Sequence, residues 1–103
     1  MFLAHRETID RVEARDTGEL FVGVAGAGSP AYEYVYRAAA GVYWDASTRG
    51  FRSTPMDGRS AAWWYSHIVD VVRSELGVEL ALGREVKWRN VSEAAIEQIV
   101  GLP

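Results

Sequence analysis

The segment from Ser60 to Gly77 constrains this chain more than any other. Ala61, Trp64, Tyr65, Ile68, Val69, Val72 and Leu76 recur at the i, i+3, i+4, i+7 spacing of a helix with one apolar stripe. Ser60 stands where a hydroxyl can cap the first turn, and Gly77 where the backbone must leave the helix in a left-handed conformation. A helix over 60–76 with so continuous a stripe needs an apolar surface to cover. The residues around it read mainly as strands, which would supply one.

Upstream, Leu20-Phe21-Val22-Gly23-Val24 is β-branched and aromatic and apolar on both faces, as in a central strand. Gly26–Pro30 is a turn, and Tyr32–Arg37 alternates, with Tyr32, Tyr34 and Tyr36 on one face against Glu33 and Arg37 on the other, which predicts a strand. Val42-Tyr43-Trp44 and Phe51–Thr54 predict two more strands about the polar turn Asp45–Gly50. Short connections of this kind join antiparallel neighbours. Downstream, Val78–Leu82 alternates, Gly83 interrupts it, and Glu85–Trp88 reads as a further short strand. Ser92 caps a last helix with Val91 as its staple and Ala95, Ile96, Ile99 and Val100 as its buried side. Residues 2–15 read as an N-terminal helix with Phe2, Ile9 and Val12 on one face and Gly18 as its stop. The order α-β-β-β-β-α-β-α predicts an α+β fold: an antiparallel sheet of four to five strands, with the long helix and the terminal helices packed on one face.

A chain of 103 residues fits one domain, 1–103, in which 1–17 would be a loosely attached helix. It contains no cysteine, which removes disulfides, thiolate metal sites and cysteine nucleophiles. Met1–Ala4 gives way at once to His5, Arg6 and Glu7 without an apolar leader, and no apolar run reaches the roughly 18–20 residues of a membrane span. Ten of the eleven basic residues are arginine, a bias that suggests a GC-rich bacterial genome, so a bacterial cytoplasmic protein is expected. The net charge of −3, with both signs interspersed, argues against a nucleic-acid partner and against an anionic membrane surface.

No motif carries a reaction outright. The Gly23–Gly28 run has the order GxxGxG and is followed by Ser29-Pro30, so it reads as a hairpin turn and not as a phosphate loop. The two histidines, His5 and His67, lack any metal-ligand spacing, and no metal or cofactor is expected. The sharpest feature is Trp63. Trp64 and Tyr65 belong to the apolar stripe, whereas Trp63 falls on the polar side with Ser66, His67, Asp70 and Arg73. A tryptophan there points to a partner, a ligand or an oligomer contact. His67 and Asp70 stand at i, i+3, where the carboxylate could hold the imidazole as a general base; the plain alternative is a solvated face with an incidental pair. A Ser66-His67-Asp70 triad fails because adjacent residues splay around the helix. Arg37, Arg49, Arg52 and Arg59 form one basic group, and Arg84, Lys87 and Arg89 another around Trp88. Either could receive an anionic ligand or acidic partner, or be neutralised by Asp45, Asp57 and Glu85.

The stretches Tyr34–Ala39, Gly41–Asp45, Phe51–Pro55, Trp64–Ile68, Glu75–Gly77 and Trp88–Val91 together resemble the small orphan proteins carried by bacterial integron gene cassettes, over about residues 19–100. The resemblance implies a small α+β domain, often oligomeric, and in some members a ligand-binding or toxin-neutralising module. It carries over no catalytic residue. The expected function is a non-enzymatic binding module, a homo-oligomer, with Trp63, His67, Arg49 and Arg52 receiving a protein partner or a small anionic or aromatic ligand. The alternative is a small hydrolase- or isomerase-like enzyme using His67 assisted by Asp70.

Overall fold

The computed structural model describes residues 5–102. Five strands form one sheet: β1 (His5–Ala14), β2 (Leu20–Val24), β3 (Val42–Asp45), β4 (Gly50–Ser53) and β5 (Val78–Arg89). Helix α1 spans Ala61–Leu76 and helix α2 Glu93–Val100, and a 3₁₀ segment runs over Pro30–Ala38. The strand order is β3-β4-β2-β1-β5, antiparallel throughout except for the parallel pair β1–β5. The α+β architecture is therefore as expected: a mostly antiparallel sheet with helices packed against it.

The long helix has the expected bounds. The Ser60 hydroxyl accepts from the Trp63 amide at 3.0 Å, and Gly77 takes a φ of 67° at the other end. Trp64, Tyr65, Ile68 and Val72 are buried against the sheet, where they meet Ile9, Val12, Leu20, Val22, Val24 and Phe51. The last helix is capped by Ser92 as the sequence suggests, with the hydroxyl accepting from Ala95 at 3.1 Å. Of its expected buried side Ile99 is fully buried, but Val100 is 59% exposed.

Two segments differ from expectation. His5–Ala14 is a strand, not a helix; Phe2, grouped with it in the sequence, lies outside the described residues. Glu7 and Ile9 are buried and Arg6 and Thr8 exposed, the alternation of a strand. A bulge between Ile9 and Arg11 then resets the parity, so Val12 also faces the core. The resulting spacing of three between Ile9 and Val12 imitates a helical one. Tyr32–Arg37 is 3₁₀ helix, not a strand. Ser29 caps it and Pro30, with its fixed φ, starts it, so the local start signal overrides the alternation. Burial then follows three residues per turn: Tyr32 and Val35 are inside, while Tyr34 and Tyr36 are about half exposed, at 48% and 51%. Gly83 does not end a strand. β5 continues through it, with the register to β1 jumping from Leu82 to Lys87 opposite the β1 bulge.

Cross-strand register sorts the two faces. Trp88, Val12, Val22, Phe51 and Trp44 are successive neighbours across the five strands on the face under α1. The adjacent row, Arg89, Glu13, Phe21, Arg52 and Tyr43, lies on the opposite face, which carries no helix among the described residues. Phe21 is nonetheless only 1% exposed. The guanidinium of Arg15 lies over its ring at 4.2 Å and that of Arg11 at 5.4 Å, so cationic side chains stand in for a packed layer. Arg11 is fixed in turn by the carbonyls of Thr48, Val24 and Arg49.

Candidate functional site

Helix α1 presents the expected aromatic on its polar side. Trp63 is 38% exposed. Its ring stacks on His67 with centroids 4.7 Å apart and planes 18° from parallel, as the i, i+4 spacing allows. The guanidinium of Arg59, four residues earlier, lies 3.9 Å from the Trp63 centroid. Arg59, Trp63 and His67 thus form a column at i, i+4, i+8. Trp64 supports it from the core side, edge-on to Trp63 at 5.1 Å and to His67 at 5.3 Å, while its own indole N–H donates to the Met56 carbonyl at 3.1 Å.

His67 is anchored outside the helix. Its Nε2 lies 2.9 Å from the Ala40 carbonyl oxygen. A carbonyl only accepts, so Nε2 carries the proton, and in the neutral ring Nδ1 offers the lone pair. The contact ties α1 to the connection between the 3₁₀ segment and β3, which turns sharply at Ala39 (φ 52°) and Gly41 (φ 77°). The structure does not pair His67 with Asp70. The Asp70 carboxylate takes Arg73 Nη2 at 2.9 Å. The general-base arrangement read from the i, i+3 spacing is therefore not assembled here, because i, i+3 in the other direction offered Asp70 a cation.

Arg49 and Arg52 belong to a different surface. Arg52 sits on the helix-free face, 3.5 Å from Glu19 and with its guanidinium 5.0 Å from the Tyr43 ring, so much of its charge is used within the sheet. Arg49 occupies the β3–β4 turn with a φ of 57° and an exposed side chain. That turn is held by Asp45, whose carboxylate accepts from the Ser47 hydroxyl at 2.7 Å and its amide at 3.1 Å. The Ser47 hydroxyl, with further help from Thr48, holds the Asp45 carboxyl below its usual range. Arg37 stacks on exposed Tyr34 at 4.4 Å. Among the described residues no group of three or more His, Asp or Glu could hold a metal ion, and no helix is long and apolar enough to cross a membrane.

Two features of the structure had no reading in the sequence. By composition Arg59 reads as one of a group of arginines, and its i, i+4, i+8 spacing to Trp63 and His67 is the signal in the sequence for the column. Glu7 gave no signal at all. It is a buried carboxylate on the core face of β1, accepting from the Tyr32 hydroxyl at 2.6 Å, with His5 Nε2 3.4 Å away.

Among known proteins, one solved structure is similar to this chain. No protein-family model matches the chain, and no curated protein does. The structure of the integron cassette protein Hfx_Cass5, from the mobile metagenome of the North West Arm sewage outfall, is 31% identical over 90% of each chain, with a TM-score of 0.43. This chain belongs to the integron cassette proteins. The assignment rests on identity along nearly the whole length of both molecules, and it agrees with the likeness read from the sequence.

Proposed function

We propose that this cassette protein is a non-enzymatic recognition module that works as a homo-oligomer or docks a protein partner through the surface built on Trp63 and His67. One observation carries the reading: an exposed tryptophan is held in place on both sides, by Arg59 at 3.9 Å and His67 at 4.7 Å. A large aromatic that is already ordered loses little side-chain freedom on binding, so its burial counts almost fully toward affinity. The His67 bond to the Ala40 carbonyl extends that order to the neighbouring loop. Two polar groups of the column, the Arg59 guanidinium and the Trp63 indole N–H, are donors, against one acceptor at His67 Nδ1, which favours an acceptor-rich or acidic surface on the partner. Arg49 at the β3–β4 turn offers a second, separate cation for the same kind of surface, with Arg52 behind it on the sheet face.

The test is size-exclusion chromatography with light scattering on the wild type and on Trp63→Ala. An oligomer that falls to a monomer in Trp63→Ala, with the circular dichroism spectrum unchanged, supports the reading. If the wild type is a strict monomer, and the partners it retains from its host lysate are kept equally by Trp63→Ala, the reading fails.

A further inference from the structure

On the other flank of α1, where Tyr65, Val69 and Arg73 stand about 200–280° around the helix from Trp63, lies a cleft of about 490 Å³ between α1, α2 and β5. Its volume is within the roughly 300–1,000 Å³ typical of small-molecule sites. Val69, Leu80, Leu82 and Ile99 make its walls apolar. Tyr65 also lines it, although that residue is only 6% exposed. Burial pushes the Tyr65 hydroxyl up to about 12, and near neutral pH the phenol is protonated and can donate. Thr48 Oγ1 is the one fully buried side-chain polar atom without a partner among the described residues, so the Tyr65 hydroxyl is not sealed in the core but opens to the cleft, where it can donate to a ligand.

The rim adds charge. Arg6, Arg73 and Glu79 all line the cleft, and each arginine has a carboxylate partner. Arg6 spends Nε and Nη2 on Glu79, at 3.3 and 2.7 Å. Arg73 spends only Nη2, on Asp70, which lies outside the lining. Arg73 therefore keeps guanidinium donors for an anion, in the fork geometry that suits a carboxylate. We propose that this cleft binds a small amphipathic carboxylate, its apolar body between Val69, Leu80, Leu82 and Ile99, its head on Arg73, and a polar atom of the body on the Tyr65 hydroxyl. The assembly surface at Trp63 is not involved, so either proposal can fail without the other.

The experiment titrates the isotope-labelled full chain, by nuclear magnetic resonance, with sodium octanoate below its micelle concentration, with 1-octanol and with octylammonium chloride. Octanoate is expected to give saturable shifts at Val69, Leu80, Leu82 and Ile99, with affinity about tenfold above octanol and octylammonium, as a charge-assisted hydrogen bond provides. Arg73→Gln should bring octanoate down to the octanol level. Arg84→Gln, which removes an exposed charge of β5 outside the lining, should leave it within about twofold, since surface charges that make no contact contribute little. The variant Val69→Phe, which fills the cleft, should abolish the shifts. Absence of saturable octanoate shifts on the folded chain overturns the proposal, as do octylammonium binding as tight as octanoate and octanoate affinity unchanged in both Arg73→Gln and Val69→Phe.

Discussion

The Tyr32 hydroxyl donates to the buried Glu7 carboxylate at 2.6 Å, and this bond fastens the 3₁₀ segment to the sheet. Both residues lie inside, with Glu7 7% and Tyr32 3% exposed. A carboxylate so placed has little water to replace a lost donor. Tyr32→Phe should therefore destabilise the fold by about 1–3 kcal/mol, the usual cost of orphaning a buried polar group. Glu7→Gln should cost less, because an amide oxygen still accepts the bond. Urea unfolding of the two variants checks the order; a Tyr32→Phe chain as stable as wild type would show that the bond contributes nothing.

The same tyrosine predicts behaviour in alkali. Desolvation first, then the hydrogen bond and charge of Glu7, push the Tyr32 hydroxyl above its ordinary range, and burial pushes Tyr65 up to about 12. A raised folded-state value means that the native protein holds the proton more tightly than the unfolded chain. The stability tied to that proton is whole below the unfolded value of about 10 and is lost as pH rises through the folded one. Thermal melts should stay level up to about pH 10 and then fall, and Tyr65→Phe should make the fall shallower between about pH 10 and 12. A decline as steep in Tyr65→Phe as in wild type would remove Tyr65 as a contributor.

These positions show what a sequence of this kind discloses. Helix α1 was legible to the residue because its stripe, its serine cap and its glycine exit all agree. β2, β3 and β4 were legible because short β-branched and aromatic runs stood between polar turns. β1 was not, because one bulge put Ile9 and Val12 at a helical spacing while both face the core. The 3₁₀ segment was not, because alternating tyrosines satisfy period two on paper, whereas Ser29-Pro30 sets a period of three. At the candidate site the helix geometry put Trp63 on the polar side, and its 38% exposure is what the structure adds. The partner of His67 did not: Ala40 lies 27 residues away, and a backbone carbonyl leaves no mark in side-chain pattern.

Two glycines on the helix-free face should differ in their tolerance of a methyl group. A Cβ on Gly50 would lie 2.3 Å from Phe21 Cζ and 2.8 Å from the Val22 carbonyl oxygen. The ring is sealed by Arg15 and the carbonyl is backbone, so neither can move cheaply. A Cβ on Gly23 would lie 2.6 Å from Arg11 Cζ, the far end of a flexible side chain. That guanidinium can swing away, at the loss of its bonds to Thr48, Val24 and Arg49. Both Ala substitutions should destabilise by about 1–3 kcal/mol, as overpacking does, with Gly50→Ala the worse. Denaturant midpoints for the pair decide it, and the reverse order would mean that the Arg11 bonds outweigh the room left for Phe21.

The anchoring of His67 should show as local order as well as stability. Its Nε2–H bond to Ala40 holds the connection ahead of β3, and one residue on, the Gly41 carbonyl accepts from the Thr54 amide at 2.9 Å. His67→Ala removes the bond and the stack under Trp63 together, which should cost about 1–2 kcal/mol overall, one hydrogen bond plus part of an aromatic contact. His67→Phe keeps the stack and loses only the bond. Hydrogen exchange at the Thr54 amide should quicken in both variants relative to wild type, while the melting temperature falls further in His67→Ala. Thr54 protection that is unchanged in His67→Phe would mean that the loop is held by the packing of Gly41 against Thr54 and Trp64, whose side chains a Cβ there would meet at 3.0 and 3.3 Å, and not by the imidazole.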